Sequence, residues 1–464
     1  MSWMAINIAI VCWCATNGRS QIPQSPPTNQ KPQITPPVTV GIPISGKVPL
    51  DTVVLTDPFP FNASISYVVA DQKELAKNPS LCYLVLHQIN RNARQKEAAS
   101  VSTTTFPITV SKGGVLDPQF SPDGNHILLK IGLAFTRHDQ FQLYVFDIKA
   151  RKLKLASPDQ VSFRNVLWSP DGRYIAYIKG GDAEGFLAPF SPPTIVVCNW
   201  QTGELQTVVE GPNALGLSMT WMGPQTLLFS NLSTSNQKTN PEKQKNNPEI
   251  SLRSQRRPNV YAYSTATRKT QLLIEDGQYP AVSPDQQWIA FFGSEYPGKP
   301  FKLNDDWALR PGGAALSVVK RGSVERRPLT IQKGGYPTVL WPPDNRQLVT
   351  LRLTQESPNA KAEVYIWDTS TQQQKKVGSI TATDFEEQPR SITYPQISAL
   401  GVSRDGKDLI VLKQEYTGRT GPWLDESDYI QAMNLSTGKL TPLLKTSAPL
   451  GIDWMELPPT KSTK

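Results

Sequence analysis

One turn motif recurs along most of this chain, and it constrains the fold more than any other feature. In its fullest form an apolar strand ends in SPDG and a second apolar strand follows at once, as in residues 116–130 (LDPQFSPDGNHILLK) and 166–179 (VLWSPDGRYIAYIK). Further copies, the first of them weaker, lie at residues 219–230, 279–292, 338–351 and 400–413. The motif therefore returns about every 50 to 60 residues. Because proline presets the turn, aspartate caps it and glycine takes its left-handed position, each copy predicts a tight turn between antiparallel strands.

Two further strands complete each repeat. A third apolar run follows after a connection of variable length, and a fourth follows a short polar turn such as Thr202-Gly203. The third runs include residues 142–147, 194–199, 259–264, 363–368 and 429–434. Four antiparallel strands in this order form a meander that cannot bury both of its faces alone, so the repeats must stack, and radial closure protects their edges. The sequence therefore predicts an all-β propeller.

The number of blades follows from the two ends of the chain. Six repeats run from about residue 116 to residue 445, and residues 451–457 (GIDWMEL) have the pattern of a first strand without successors. The N-terminal region supplies three strands without a first one, at residues 64–69, 81–86 and 101–110. We predict a seven-bladed β-propeller of four-stranded antiparallel blades, closed by the N-terminal strands pairing with the C-terminal strand. Six blades with an N-terminal appendage is the alternative.

The predicted propeller spans residues 51–458, and the remaining segments have other compositions. Residues 1–19 contain an apolar run shorter than the ~20 residues that cross a bilayer, which is typical of a secretory signal. Residues 20–50 are rich in Pro, Gln and Thr and predict a disordered linker, and residues 459–464 form a tail. We expect no transmembrane span in the mature chain and a location in the periplasm, in the cell envelope or outside the cell. The alternative is a cytoplasmic protein whose apolar run is a buried strand.

Charge and ligand counts exclude several classes of function. The net charge of +9 comes from 48 basic and 39 acidic residues. Nucleic-acid binding needs a clustered basic stripe with aromatic side chains, and the sequence shows none, so we predict no nucleic-acid partner. Three histidines and four cysteines without a CxxC pair offer no zinc site, and we predict neither metal nor cofactor. Cys82 and Cys198 fall in strand-like runs and are predicted to be buried free thiols.

The segments FSPDG, WSPDGRYIAY and VSPDQQWIAF, at residues 120–124, 168–177 and 282–291, resemble the repeats of the TolB-type β-propeller family, which is related to WD-repeat propellers. The resemblance covers about residues 64–457 and implies the propeller fold. The same repeat occurs in a scaffold protein of the cell envelope, in the gating propeller of prolyl oligopeptidases and in polysaccharide-active propellers. The resemblance therefore implies a fold shared by binding proteins and enzymes. The sequence lacks the GxSxG nucleophile elbow of a serine peptidase.

Extra length accumulates between second and third strands, in predicted loops at residues 180–193, 231–258, 293–313 and 414–428. In a propeller these loops and the links between blades emerge on one face, and function tends to lie on loops that a rigid scaffold positions. Aromatic side chains beside arginine suit recognition of a peptide, a protein loop or a sugar ring. The predicted partner-binding residues are Phe186, Phe190, Trp307, Arg310, Arg419, Trp423 and Asp425.

The function that these features predict is that of an exported scaffold, not an enzyme, which binds a protein or peptide partner on its loop-rich face. A carbohydrate is the second kind of partner that such a face suits. The alternative function is a polysaccharide lyase or hydrolase acting in the propeller channel, with Arg164, Asp276 and Tyr336 as its channel residues. The aspartates of the repeated turns are predicted to form turns and not to catalyse.

Overall fold

Seven four-stranded antiparallel sheets contain most of the residues that the computed structural model describes. The described residues are 38–40, 44–45, 54–55, 62–69, 80–90, 100–111, 113–133, 140–161, 166–179, 194–210, 218–234, 256–293, 315–330, 335–355, 359–383, 397–420, 423–447 and 449–457. Every regular element within these ranges is a β-strand. Among them, therefore, there is no helix that is long and apolar enough to cross a bilayer.

The strands are numbered in chain order. The first six are β1 (Val38–Val40), β2 (Ile44–Ser45), β3 (Val54–Leu55), β4 (Ala63–Val69), β5 (Ser80–Asn90) and β6 (Ser100–Val110). Blade one contains β7 (Gly114–Phe120), β8 (His126–Leu133), β9 (Gln140–Asp147) and β10 (Lys152–Val161). Blade two contains β11 (Leu167–Trp168), β12 (Tyr174–Lys179), β13 (Thr194–Asn199) and β14 (Glu204–Val209). Blade three contains β15 (Met219–Trp221), β16 (Thr226–Thr234), β17 (Arg256–Ser264) and β18 (Lys269–Ile274).

The remaining strands repeat this order. Blade four contains β19 (Gly277–Val282), β20 (Trp288–Gly293), β21 (Ala315–Lys320) and β22 (Arg326–Thr330). Blade five contains β23 (Gly335–Leu340), β24 (Gln347–Gln355), β25 (Asn359–Asp368) and β26 (Gln374–Thr383). Blade six contains β27 (Ile397–Val402), β28 (Asp408–Thr420), β29 (Trp423–Asn434) and β30 (Leu440–Ser447). The last strand, β31 (Pro449–Glu456), joins β4, β5 and β6 in blade seven.

The repeated turn has the geometry that its sequence predicts. In blade two the Ser169 hydroxyl donates to Asp171 Oδ1 at 2.6 Å and accepts the N–H of Tyr174 at 2.9 Å. Asp171 Oδ1 also accepts the N–H of Arg173 at 3.2 Å, and Gly172 has a φ of +68°. The same serine-to-aspartate hydrogen bond forms between Ser121 and Asp123, Ser283 and Asp285, and Ser403 and Asp405. The repeat aspartates are thus held within turns, and each blade enters its second strand at a fixed register.

One cluster of buried apolar side chains fills each of the seven seams between neighbouring blades. Between blades five and six, for example, Val349 and Leu351 pack with Leu409 and Val411. Comparable clusters fill the seams from blade one round to blade five and between blades six and seven. The seventh cluster joins blade seven to blade one. Because every blade buries both faces against its neighbours, the sheets form a closed ring.

The two ends of the propeller meet in blade seven. β31 pairs antiparallel with β4, and Trp454 lies opposite Ile65 in this register. The sheet then continues through β5 to β6. The prediction of seven blades closed by the chain ends is thereby confirmed, and the six-bladed alternative is wrong. Cys82 and Cys198 are buried free thiols, as predicted.

Three short N-terminal strands add to the outer edges of the last two blades. β1 and β2 pair with β6, so that Val38 lies opposite Val110 and Ile44 opposite Thr105, and β3 pairs with β30. β1 and β2 fall within residues 20–50, where the sequence predicts a disordered linker. At these two strands the structure differs from that expectation, because their β-branched residues find an unpaired sheet edge to pair with.

Candidate binding face

The loop-rich face is the end of the propeller opposite the SPDG turns. Successive strands are antiparallel, so the second-to-third connections and the links between blades leave at the same end. Four predicted binding residues lie in such connections but outside the described residues, namely Phe186, Phe190, Trp307 and Arg310. The other three, Arg419, Trp423 and Asp425, lie on strands β28 and β29.

The predicted loop of blade six is a continuation of these two strands. Thr420 lies opposite Trp423 and Arg419 opposite Leu424, and the pairing continues to the base of the sheet with one irregularity, between Tyr416 and Gly418. The prediction of a loop over residues 414–428 was therefore wrong. The prediction ended both strands where polar residues begin. In the structure two polar runs of matching length pair with each other and extend the strands, and only residues 421 and 422 lie between β28 and β29.

This hairpin extends past the described ends of both neighbouring strands of blade six. The innermost strand, β27, starts at Ile397, which lies opposite Lys413 of β28. The outermost strand, β30, ends at Ser447, which lies opposite Ser427 of β29. Beyond these two points the described residues of β28 and β29 pair only with each other. The register thus brings Arg419, Trp423 and Asp425 together near the end of one two-stranded projection.

A row of charged and aromatic side chains lies at the root of this projection. Lys413, Tyr429 and Lys445 occupy directly paired positions of β28, β29 and β30. The two ammonium groups lie 4.8 Å and 5.1 Å from the centroid of the Tyr429 ring, one from each neighbouring strand. Next to them the buried Asp428 accepts a hydrogen bond from Gln414 Nε2 at 3.3 Å. Cation–π contacts of this kind fix the ring at the base of the hairpin.

The first and second strands of blade one and the first strand of blade seven carry a second group of charged residues, near the seam between these blades. The buried Lys130 forms an ion pair of 2.9 Å with Asp117, which has a φ of 46°. Gly451 of β31 passes so close that a Cβ there would lie 2.7–2.8 Å from atoms of Asp117, and its φ is +109°. Asp453 Oδ2 accepts the N–H of Phe120 at 2.7 Å. Desolvation raises the pKa of Asp453 to about 6 although this hydrogen bond opposes the shift.

Sequence reasoning did not select any of these inner-strand residues. A lysine and two aspartates inside otherwise apolar strands were the available signal, in LLKIGL, LDPQF and GIDWM. The ion pair joins two strands within blade one, whereas the hydrogen bond of Asp453 crosses from β31 to β7 and joins blades seven and one.

Of the three residues predicted to line the channel, the structure describes the side chain of Asp276 alone. Arg164 lies outside the described residues, and for Tyr336 the structure gives the backbone alone. Asp276 lies in the link between β18 and β19, where its N–H donates to Asn259 Oδ1 at 2.8 Å. A guanidinium N–H of Arg326, on the outermost strand of blade four, donates to its backbone oxygen. Asp276 is therefore a seam residue between blades three and four.

Several reactive side-chain types lie inside the blades. Burial raises the pKa of the Cys82 thiol to about 11 and that of Cys198 to about 12, so both stay protonated at neutral pH. Burial lowers the pKa of His87 to about 4. Within the described ranges no group of three His, Cys, Asp or Glu residues is arranged to hold a metal ion.

The solved structures with a similar fold include several propeller proteins. TolB from Acinetobacter baumannii matches at 14% identity and a TM-score of 0.36, covering 67% of this chain and 62% of that one. Oligogalacturonate lyase from Vibrio parahaemolyticus matches at 12% identity and a TM-score of 0.44, covering 84% and 85%. Acylaminoacyl peptidase from Pyrococcus horikoshii matches at 15% identity and a TM-score of 0.43, covering 82% and 52%.

These similarities concern the fold. The chain spans less than two thirds of the TolB and peptidase chains that it matches. TolB structures are among the similar folds, in line with the resemblance of the repeats. No protein-family profile matches the sequence, and neither does any curated protein.

Proposed function

We propose that this protein is a non-catalytic β-propeller that binds a protein or peptide partner through its loop-rich face. The observation that carries the proposal is the projecting hairpin of β28 and β29, whose outer pairs extend past both neighbouring strands. A rigid ring below and a two-stranded projection above are the elements of a scaffold that presents a recognition segment.

The residues of the hairpin support a protein or peptide as the partner. Arg419 and Trp423 belong to the residue types that contribute most to protein interfaces. Beyond β27 and β30 the described residues of β28 and β29 pair only with each other, so their free edges present backbone donors and acceptors to a binding segment. Lys413 and Lys445 hold the Tyr429 ring from both neighbouring strands, which fixes the root of the hairpin.

The state of the ionisable groups supports a role without catalysis. In the turn of blade one, desolvation raises the pKa of Asp123, but hydrogen bonds from Ser121 and Asn125 outweigh it and lower the pKa to about 2. The thiols of Cys82 and Cys198 stay protonated inside blades. Asp123 thus stabilises a turn, and the two thiols pack inside blades. The proposed location in the cell envelope or outside the cell rests on the signal-like residues 1–19.

Shortening the hairpin tests the proposal. Residues 416–426 are replaced by an Asn-Gly turn, which suits a two-residue hairpin connection and leaves the pairs with β27 and β30 intact. Proteins crosslinked to the tagged chain in its source cells are then quantified for the shortened variant, for Trp423→Ala and for wild type. A matched control is Val324→Ala, which removes an exposed apolar side chain from the turn between β21 and β22 on the opposite face.

The expected result is a partner recovered with wild type and Val324→Ala but lost with the shortened variant and reduced with Trp423→Ala. Equal recovery with all four chains, each with an unchanged melting temperature, would contradict the proposal. Retention on a glycan array that is lost with the same two variants would make the partner a carbohydrate and contradict the protein or peptide assignment.

A further inference from the structure

The outer edges of the blades differ in what covers them. An outer strand exposes backbone N–H and C=O groups with which another strand can pair. The edges of blades six and seven carry added strands, β3 on β30 and both β1 and β2 on β6. The end of β10 in blade one pairs with β12 of blade two, with Val161 opposite Lys179. Within the described residues, β14, β18, β22 and β26 carry no added strand.

Three of these four edges have features that discourage strand pairing. β14 and β18 have 6 residues each and β22 has 5. They begin with Glu204, Lys269 and Arg326, and β22 also contains Pro328. Short length, charge and proline are the features by which proteins protect a sheet edge. These strands therefore make poor templates for an added strand.

β26 is different. It has 10 residues, and although Lys375 and Lys376 lie near its start, its last six residues, Gly378–Thr383 (GSITAT), contain no charge and no proline. After an irregularity at Val377 these six residues pair one for one with Asn359–Val364 of β25. Ile380 is buried in the seam with blade six. The edge is thus held in extended form before anything binds, which reduces the ordering cost of adding a strand.

A cleft opens at the other end of the same strand. It lies between blades five and six, has a volume of about 700 Å³ and includes Gln374 and Lys375, the first two residues of β26. Ile366 and Leu435 contribute apolar surface, and Lys407 faces it from blade six. This volume falls within the range of ligand pockets, and it can hold an end group of a segment that runs along β26.

The charges at the cleft favour an acidic group. Asp368 there is engaged by Ser370 and Thr371, whose hydroxyl and N–H groups donate to it. Lys407 forms an exposed ion pair of 3.0 Å with Asp405. Lys375 forms no ion pair with any residue in the described part of the chain. Within the described residues its ammonium group is therefore open to a ligand carboxylate at this cleft.

We propose that β26 is a second binding site, which takes an extended segment of a partner protein as an added strand and places a carboxylate of that segment beside Lys375. The chain itself shows this mode twice, because its own N-terminal residues add to β6 and β30. The site lies on the rim of blade five and is separate from the hairpin of blade six.

A peptide of defined sequence tests the site on the full-length protein. The probe is a synthetic peptide of alternating threonine and valine, the pattern of β1, followed by two glutamates. Hydrogen exchange followed by mass spectrometry locates it, and fluorescence anisotropy gives its affinity. The matched variants are Thr381→Lys on β26 and Thr270→Lys on β18, which place the same charge on a long and a short exposed edge.

The peptide is expected to protect backbone amides of residues 378–383 from exchange. Thr381→Lys should weaken binding by about tenfold, whereas Thr270→Lys should leave it unchanged. Lys375→Glu should lower the affinity for the glutamate-ended peptide about tenfold and leave the affinity for a glutamine-ended peptide unchanged. A peptide N-methylated at every residue of the threonine–valine run should not protect β26, because it has no backbone N–H left to donate to that edge.

Other outcomes overturn the proposal. Protection that is absent from β26, or found on β6 or β30 instead, would show that this edge is not the site. Equal affinity of the peptide for Thr381→Lys and Thr270→Lys would also show that β26 is not the site. Protection of residues 378–383 that rises with protein concentration without peptide would identify a second copy of this chain as the occupant, in place of a partner protein.

Discussion

Acidification should destabilise this propeller through one buried side chain, His87 of β5. Its Nε2 lies 2.9 Å from the Tyr67 hydroxyl and its Nδ1 lies 2.8 Å from the Thr103 hydroxyl, and the residue is 2% exposed. A neutral imidazole satisfies both hydroxyls with one donor and one acceptor, whereas the charged form has two donors and no acceptor. Burial also disfavours the charge, and it lowers the pKa from 6.5 to about 4.

The size and sign of the effect follow from this shift. The unfolded chain takes up a proton at His87 near pH 6.5, but the folded chain resists until about pH 4. The stability that the neutral ring contributes is complete above pH 6.5 and is lost as the pH falls to 4. Because one pKa unit corresponds to about 1.4 kcal/mol, the loss in free energy of unfolding is about 3 kcal/mol.

His87→Gln isolates this contribution, because glutamine keeps a donor and an acceptor without titrating. Urea denaturation at about pH 7 and about pH 4 should show that wild type loses about 3 kcal/mol more than the variant. His126→Gln, which removes a partly exposed histidine, is the matched control for the loss of an imidazole ring. Among the histidine ring signals in NMR spectra, one should titrate near pH 4 and vanish in His87→Gln. Titration of every histidine near pH 6.5, or equal losses in wild type and variant, would refute the reasoning.

Three further changes probe the seams of the ring. Gly451→Ala should lower the free energy of unfolding by about 2–3 kcal/mol, because a Cβ would meet Asp117 in a backbone conformation that alanine avoids, and an unchanged melting temperature would contradict this contact. Trp341→Phe should lower the free energy of unfolding by about 1 kcal/mol more than Trp221→Phe. The Trp341 indole N–H donates to a carbonyl at 3.0 Å, whereas the buried Trp221 N–H has no acceptor in the described region. Equal losses on urea denaturation would refute this difference. Asp453→Asn should gain stability relative to wild type as the pH rises through 6, because the charged carboxylate is desolvated only in the folded chain, and a constant difference between the two chains from pH 4 to pH 8 would contradict this.

The blades could be predicted because their determinants are local in sequence. The turn of blade two closes with hydrogen bonds between Ser169, Asp171 and Tyr174, all within six residues, so its motif can be recognised without knowing the fold. Ring closure could be predicted by counting, because residues 451–457 lacked three partner strands and the N-terminal region lacked one. The pairing of β31 with β4 combines the single C-terminal strand with the three N-terminal strands into one complete blade.

The remaining features depend on partners that are distant in sequence. Residues 414–428 carry no apolar alternation, so their strands become visible only through the register between Arg419 and Leu424. β1 and β2 exist as strands because β6 offers them an edge. Lys130 and Asp453 stood out as charges in apolar strands, but the sequence could not show which groups would meet them. The binding residues predicted in the other connections, such as Trp307, remain predictions.

Disulfide trapping tests the closure of the ring most directly. Ser64 and Met455 lie opposite each other in the pairing of β4 with β31, and directly opposed residues have Cα atoms about 4.5–5.5 Å apart, within reach of a disulfide. Ser64→Cys with Met455→Cys should therefore crosslink in the native protein, as peptide mapping would show. Ser66→Cys with Met455→Cys, two residues out of register, should not crosslink at a comparable rate. Failure of the in-register pair to form the bond in folded protein would contradict a propeller sealed by its two chain ends.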